Sequence, residues 1–600
     1  MDALLSSSLL SSNSAPHKIN FSSARIENEP KVYRTNLSNF PKPSKKSKSR
    51  LQPSKPLDYN GTHLTSQKKS WIITQKSYYT PSLLSKLINT LEDIINKYID
   101  PPKRACVDPR IVLSRNFAPV DELPPTECEI DEGALPSSLE GAYIRNGPNP
   151  QFYPRGPYHL FDGDGMVHCI RIRDGKATLC SRFVKTYKYK IEHDAGFSII
   201  PNVFSGVNGF FGFMARVSLA VARVAAGQFN PSNGVGLANT SVAFFGDRLY
   251  ALGESDLPYA VRLTPDRDIQ TLGRNDFDGK LVLSMTAHPK VDHDTGETFA
   301  YRYGPIPPFL TYFRFDAKGN VNADVPISSL TRPPFIHDFA ITKKYTIFPD
   351  IQIVMDITSM ILRGGSLLNW DPSKVSRIGI IPRYDNDEKN IRWFDVPGFN
   401  AVHVINAWDD IDEYGNESIV MVAANILSAQ HTLQRMDLTH SSIEKIKIDP
   451  KTGVVSRQTL SARNLDFGVV NPTYTGKKNR YVYAAVGDPA PNVTGVVKLD
   501  VSRAENPGCP DCVVGSRDFG PGCYGGEPFF VARDPENVDA DEDDGYVVSY
   551  VHDENIGVSK FIVMDAKSLR LDIVASVRLP QRVPYGFHGL FVKDKDLKRL

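Results

Sequence analysis

From about residue 106 to the C-terminus, short apolar runs alternate with turn residues, which is the pattern of many brief β-strands. The clearest runs lie at 141–145, 178–184, 241–252, 345–353, 419–424, 480–486, 546–551 and 560–564. Turn pairs such as Asp174-Gly175, Lys318-Gly319, Thr452-Gly453 and Asp544-Gly545 punctuate the stretches between them. This pattern predicts an all-β architecture: a propeller, a large barrel or stacked sandwiches. No repeat of fixed length is visible, so patterning alone leaves a blade count open.

Three stretches follow a different rhythm. Leu83, Leu84, Leu87, Ile88, Leu91, Ile94, Ile95, Tyr98 and Ile99 recur at helical spacing, with Lys86, Asn89, Glu92, Asp93, Asn96 and Lys97 opposite. Thr80 as cap, Pro81 at the first position and Pro101-Pro102 as a stop predict one amphipathic helix. It either docks on the body or anchors the protein to a membrane surface. Residues 210–226 are apolar but carry Arg216 and Arg223 near one helical face, which argues against a spanning helix. Residues 351–370 are rich in Met, Ile and Leu. Both stretches read as buried insertions or as an apolar rim around a tunnel mouth that dips into a membrane.

Composition adds the leader. The first 80 or so residues are rich in serine, reach a basic stretch at 42–50 and hold few acids, as an organelle transit peptide does. The organisation is therefore a leader over 1–80, an amphipathic helix and linker over 81–105, and one β domain over 106–600. A net charge of +2 gives no sign of a nucleic-acid partner. Seven scattered cysteines argue for a reducing compartment rather than a disulfide framework. Cys509 and Cys512 have zinc-ligand spacing, but with only Cys523 nearby they read as a reduced surface loop.

Four of the 13 histidines share an apolar, strand-like setting: Ala287-His288-Pro289, Ile336-His337-Asp338, Val402-His403-Val404 and Phe587-His588-Gly589. One such histidine alone is ordinarily a hydrogen-bonded core residue. Four of them at the inner strand starts of different blades would converge on a propeller axis, where a metal could sit. His293 reads as a solvated turn, and His159, His168, His193, His431, His440 and His552 lack the shared setting. The acidic run 541–545 lacks the spaced ligands of a calcium loop and reads as an exposed turn. Asp162, Asp164 and Gly165 read as turn geometry.

These four contexts, together with YIRNGPNP at 143–150, FDGDGM at 161–166, GESDLPY at 253–259, YGGEPFF at 524–530 and VPYGFHG at 583–589, closely resemble the plant carotenoid cleavage dioxygenases, in particular their plastoglobule-associated fourth class. The resemblance runs from about Val107 to the C-terminus. It implies a seven-bladed β-propeller whose helical insertions cap the metal-bearing face. It also implies Fe(II) held by His288, His337, His403 and His588 without a carboxylate ligand, and a tunnel leading to the metal. Three outer glutamates orient the imidazoles in that family. They map to Glu254, to Glu527 and to Asp466, where the shorter arm here implies a long, water-bridged or backbone-shifted contact. No catalytic side chain beyond the metal centre is expected. Val402 and Phe587, each preceding a ligand, are candidates for gripping the substrate, and Phe529 and Phe530 are candidates for lining the tunnel. The implied reaction uses O2 to split a carotenoid or apocarotenoid at 9,10 and/or 9′,10′, giving ionone-type ketones in a plastid, on a plastoglobule surface. Cleavage at 7,8 (7′,8′), a polyene isomerase and a carotenoid-binding protein are the alternatives on the same scaffold. A metal-free propeller that serves only in protein interactions is a further, weaker one.

Overall fold

The computed structural model describes residues 82–506 and 508–599; the expected leader over 1–80 lies outside them. Seven antiparallel sheets form seven blades, as expected. Blade 1 is led by Gly141–Pro148, blade 2 by Ser241–Phe245, blade 3 by Lys290–Val291 and blade 4 by Ala340–Ile341. Ala401–Ile411 leads blade 5, Leu465–Val469 blade 6, and Cys523–Gly525 with Phe529–Ala532 blade 7. The predicted run 241–252 is a hairpin, Ser241–Phe245 and Arg248–Leu252, because Gly246-Asp247 turns the chain back with positive φ at both residues.

The ring is closed from both chain ends. The last strand, Gly589–Lys593, pairs inside blade 1 with Gly141–Pro148, Arg145 facing Gly589. Near the N-terminus, Leu123–Glu127 edges blade 1 and Glu129–Gly133 edges blade 7 against Ile573–Arg578. Terminal strands laced into neighbouring blades leave no open seam for the ring to part along.

The core is divided among the seven interfaces between blades rather than gathered on the axis. One cluster joins blades 3 and 4 through Tyr301, Tyr312, Phe339 and Phe348. Another joins blades 5 and 6 through Trp408, Val422, Leu465 and Val482. Each inner strand sends alternate side chains into the interface on either side, so both faces of its sequence are apolar, whereas edge strands such as Glu129–Gly133 are exposed. Burying each large side chain contributes about 1.5–3 kcal/mol, and the axis is left free for polar groups.

The amphipathic helix spans Leu83–Ile94 and continues as a π-helical turn, Ile95–Ile99. Its cap is Ser82, whose hydroxyl accepts the Ser85 N–H; Thr80 and Pro81 fall outside the described residues. The helix docks by a mixed face, on which Ile88 and Ile95 pack on Leu219 and polar groups make the flanking contacts. Glu92 pairs with Arg223 at 2.7 Å, Asp100 with Arg216 at 2.7 Å, and Asn89 accepts from Arg223. Both arginines belong to the helix Gly209–Ala225, so their placement on one face is what seats the two helices together. The apolar sides point outward: Leu83 is 85% exposed, Leu87 68% and Phe211 79%. The 351–370 stretch forms a small hairpin, Ile353–Met355 with Leu368–Trp370, around the helix Ile357–Arg363. Among the described residues, no helix is long and apolar enough to cross a membrane.

Several further expectations resolve here. Cys512 is buried and Cys509 half-buried between blades 5 and 6, so the pair is a packed edge rather than a surface loop. The 541–545 run is a brace: Asp543 pairs with Lys498, Asp541 with Lys567, and Glu542 accepts the Arg480 and Tyr481 N–H groups. Asp162 does more than shape a turn: besides the nearby His159 N–H it accepts those of Val203 and Phe204, tying two distant loops together.

Candidate metal centre

Each blade delivers one functional side chain to the axis. His588 comes from blade 1, His288 from blade 3, His337 from blade 4 and His403 from blade 5, each at or just before an innermost strand. The other three blades deliver carboxylates: Glu254 from blade 2, Asp466 from blade 6 and Glu527 from blade 7.

The four histidines bring one nitrogen each to within 4.8 Å of one another, the only such His/Cys/Asp/Glu group among the described residues. Ring centroids are 4.4–5.2 Å apart around the square, 5.7 and 6.4 Å across it. The Nε2 atoms of His288 and His337 are 3.0 Å apart. Two nitrogens bound at right angles to one ion, about 2.1 Å from it, would be separated by about this distance.

On the outer side, His403 Nδ1 meets Asp466 Oδ1 at 2.8 Å and His588 Nδ1 meets Glu527 Oε1 at 2.8 Å. His337 Nδ1 contacts Glu254, whose other oxygen accepts the Tyr303 hydroxyl. An Nδ1–H held by a carboxylate fixes the tautomer that leaves Nε2 unprotonated and aimed inward. Among the described residues no carboxylate holds His288.

The Asp466 contact is direct despite the shorter arm. The ladder slips by one residue between Asp466 and Val469, and Phe467 adopts a φ of 50°. A bulge of this kind bends the strand and re-aims the side chains beside it. Gly468 completes it, since a Cβ there would lie 2.4 Å from Ile405 Cδ1. The contact is therefore neither long nor water-bridged.

Burial, reinforced by the neighbouring imidazoles, drives the His288 and His588 pKa values well below the usual range. Burial also opposes charge on His337, but Glu254 more than offsets it, so His337 is raised. Burial pushes Glu527 up to about 8. For Asp466 the same desolvation is outweighed by His403, and the carboxyl sits below its ordinary value.

His337, His403 and His588 line a cavity of about 920 Å³, toward the upper end for ligand sites, and His288 completes the quartet against them. Val402 and Phe587 line it, joined by Phe161, Phe204, Phe335 and Phe467. Phe529 and Phe530 do not. Adjacent residues of one strand, they enter opposite interfaces: Phe529 meets Tyr143 of blade 1 and Phe530 stacks on Tyr483 of blade 6. Phe335 and Phe467 were legible in principle, because each lies within two residues of a site residue. Tyr303 carried no local signal. Leu283 and Ile306, 76% and 77% exposed, line the cavity where it opens.

The remaining histidines stay apart from the quartet. His168 and His552 each bond a serine hydroxyl, and His159 bonds the Leu433 carbonyl.

A family model described as "Retinal pigment epithelial membrane protein" matches residues 117–593. The Arabidopsis thaliana "Probable carotenoid cleavage dioxygenase 4, chloroplastic" is 64% identical over 522 residues, 86% of this chain and 87% of that protein. The chain belongs to the carotenoid cleavage dioxygenase family. The rice "9-cis-epoxycarotenoid dioxygenase NCED1, chloroplastic" is 58% identical over 86% of this chain and 81% of its own length. Other members of the family that resemble this chain are named for 7,8(7′,8′) cleavage in Crocus sativus and for 9,10(9′,10′) cleavage in Phaseolus vulgaris. Among solved structures, the Pseudomonas brassicacearum lignostilbene dioxygenase superposes with a TM-score of 0.67 at 26% identity, covering 80% of this chain and 98% of that one. A cobalt-substituted Synechocystis ACO superposes at 0.65.

Proposed function

We propose that the protein is a non-haem Fe(II) dioxygenase that cleaves carotenoid or apocarotenoid double bonds, at 9,10 (9′,10′). The observation that carries this reading is the convergence of four imidazoles beside a mostly apolar cavity that three of them line, with three held from behind by carboxylates. His288, His337, His403 and His588 are the proposed ligands. Glu254, Asp466 and Glu527 orient the last three. Neutral imidazole suits iron, and the cobalt-substituted relative is in keeping with a divalent ion at such a site.

Bound ferrous iron supplies the activation of O2, which no side chain in the cavity can do. The rest is positioning. One alkene and one O2 become two carbonyls, so the balance requires no proton from the protein, and the cavity's lining of phenylalanines suits that. Val402 and Phe587 each precede a ligand and set the width of the passage beside it. Phe161 closes on Phe587 edge to face, with centroids 5.5 Å apart. A rod-like polyene held between such walls presents one double bond to the centre and excludes bulk water, which is catalysis by orientation.

A substrate dissolved in lipid must be collected from lipid. The exposed faces of the helices Leu83–Ile94 and Gly209–Ala225, together with the apolar rim of the cavity, support docking on a plastoglobule or membrane surface. Plastid residence is supported by the Ser-rich basic leader and by relatives named chloroplastic.

Purified protein loaded with iron, incubated with β-carotene, zeaxanthin and apocarotenals under 18O2, tests the reading. Labelled ionone-type ketones are expected. Dialdehydes cut at 7,8 would move the bond to the alternative. Unlabelled isomers with no cleavage would point to an isomerase, and absence of any product from every substrate would remove the dioxygenase reading.

A further inference from the structure

Asp338 directly follows one histidine of the quartet, yet it is not among the three carboxylates behind the imidazoles. Its side chain is nearly fully buried. Oδ1 accepts the Phe339 N–H at 2.7 Å and lies 2.7 Å from Lys290 Nζ. Oδ2 accepts the Val404 N–H at 2.8 Å. Lys290 stands two residues beyond His288, and Val404 immediately follows His403. One carboxylate therefore touches all three histidine-bearing segments of blades 3, 4 and 5.

The backbone is shaped for this contact. The strand Ala401–Ile411 slips register on both sides of Val404. A regular ladder consumes strand N–H groups in pairs; the double irregularity turns that of Val404 toward Asp338 instead. The fourth histidine is anchored separately, by its own N–H to the Thr240 carbonyl and through Gly589 N–H to Glu527. A buried ion pair contributes little net stability, because the cost of desolvating both charges rivals their attraction. Geometry is what such a pair can contribute instead. Four ligands drawn from four separate blades must be held to within about 0.5 Å to grip one ion.

We propose that Asp338 is a positioning residue for the metal centre, pinning the His288, His337 and His403 segments to one another so that their imidazoles converge. The inference rests on the assignment of the quartet as the ligand set, and the test separates the two.

Asp338→Asn keeps size and an acceptor for the Val404 N–H but puts an NH2 where Oδ1 accepted from Phe339 and faced Lys290. Lys290→Met removes only the partly exposed ammonium. Metal-free wild type and variants are titrated with Co(II), reading affinity and the visible ligand-field spectrum, and iron-loaded forms are assayed for kcat and KM. The expected result for Asp338→Asn is a Co(II) affinity lower by about tenfold or more, an altered spectrum, and a fall in kcat with KM nearly unchanged. Lys290→Met is expected to shift the same readouts in the same direction, and the double variant to be no worse than Asp338→Asn alone. A folded Asp338→Asn protein with wild-type affinity and spectrum, or one changed only in KM, overturns the proposal. Should Asp338→Asn fail to fold, Lys290→Met decides: an unchanged spectrum and affinity overturn it, and a shifted spectrum with weaker binding supports it. Failure of the wild type itself to bind Co(II) would count against the quartet as a metal site, not against Asp338.

Discussion

Replacing Asp466 by asparagine probes the least ordinary part of the centre. The contact at stake is a 2.8 Å hydrogen bond from His403 Nδ1 to a carboxylate, inside a buried site. Hydrogen bonds to charged groups are worth about 1.5–3 kcal/mol. Asparagine still offers a neutral acceptor worth about 0.5–1.5 kcal/mol, so the net loss is about 1–1.5 kcal/mol, which at 1.36 kcal/mol per decade is roughly 5- to 15-fold. Asparagine leaves the arm length and the Phe467 N–H contact to Oδ1 in place, so the fold is expected to persist while His403 loses its charged acceptor. The loss should appear as weaker metal retention and slower cleavage by similar factors. Dialysis of the iron-loaded protein against chelators of graded strength, with retained metal counted and initial rates measured, provides the assay. Asp466→Glu is the informative companion. Its extra methylene would carry the carboxylate about 1.5 Å further toward an imidazole already within bonding distance. Glutamate should therefore fail to restore wild-type retention here. Wild-type metal retention and rate in Asp466→Asn would refute the reasoning.

The other expectations are as follows. In metal-free protein, burial holds Glu527 near 8 against an ordinary 4.5. A carboxyl raised on folding favours the fold while protonated, and that contribution is lost as pH rises through the folded value. Glu527→Gln should thus become more stable relative to wild type between pH 5 and 9, by on the order of a few kcal/mol. Urea unfolding curves whose offset stays constant over that range would contradict it. Phe348→Ala, emptying a fully buried position stacked on Phe339, should cost about 3–5 kcal/mol; a shift below about 1 kcal/mol in chemical denaturation would be inconsistent with the inter-blade core. Leu87→Asp combined with Phe211→Asp should abolish flotation with liposomes while leaving turnover of detergent-solubilised substrate within about twofold, and undiminished flotation would dismiss the lipid-facing role. Excising the whole 82–100 segment is a poorer test, because it strands the buried Arg223 charge as well. Phe587→Ala should widen the passage beside His588 and broaden the set of products by chromatography, with metal content unchanged.

The sequence by itself determined a good deal. Alternating apolar runs and turn pairs determined the all-β class, since each inner strand must bury two faces and each turn must reverse the chain. Helical spacing placed the helices near 83–99 and 210–226. The motif contexts singled out His288, His337, His403 and His588 among 13 histidines, and with them Glu254, Asp466 and Glu527.

Only the tertiary structure decided how these pieces serve one another. Which face of the Leu83–Ile94 helix docks depended on Arg216, Leu219 and Arg223, more than a hundred residues away, and the answer was a mixed face that leaves most of the apolar positions outside. Phe529 and Phe530 look alike along the chain, yet pleating sends them to opposite blade interfaces and neither to the cavity. Tyr303 reaches Glu254, and Asp338 reaches Lys290 and Val404, only because seven blades bend round one axis. A linear pattern records what each residue prefers as a neighbour. Ring closure fixes which distant neighbour it meets, and at this centre every consequential contact joins different blades.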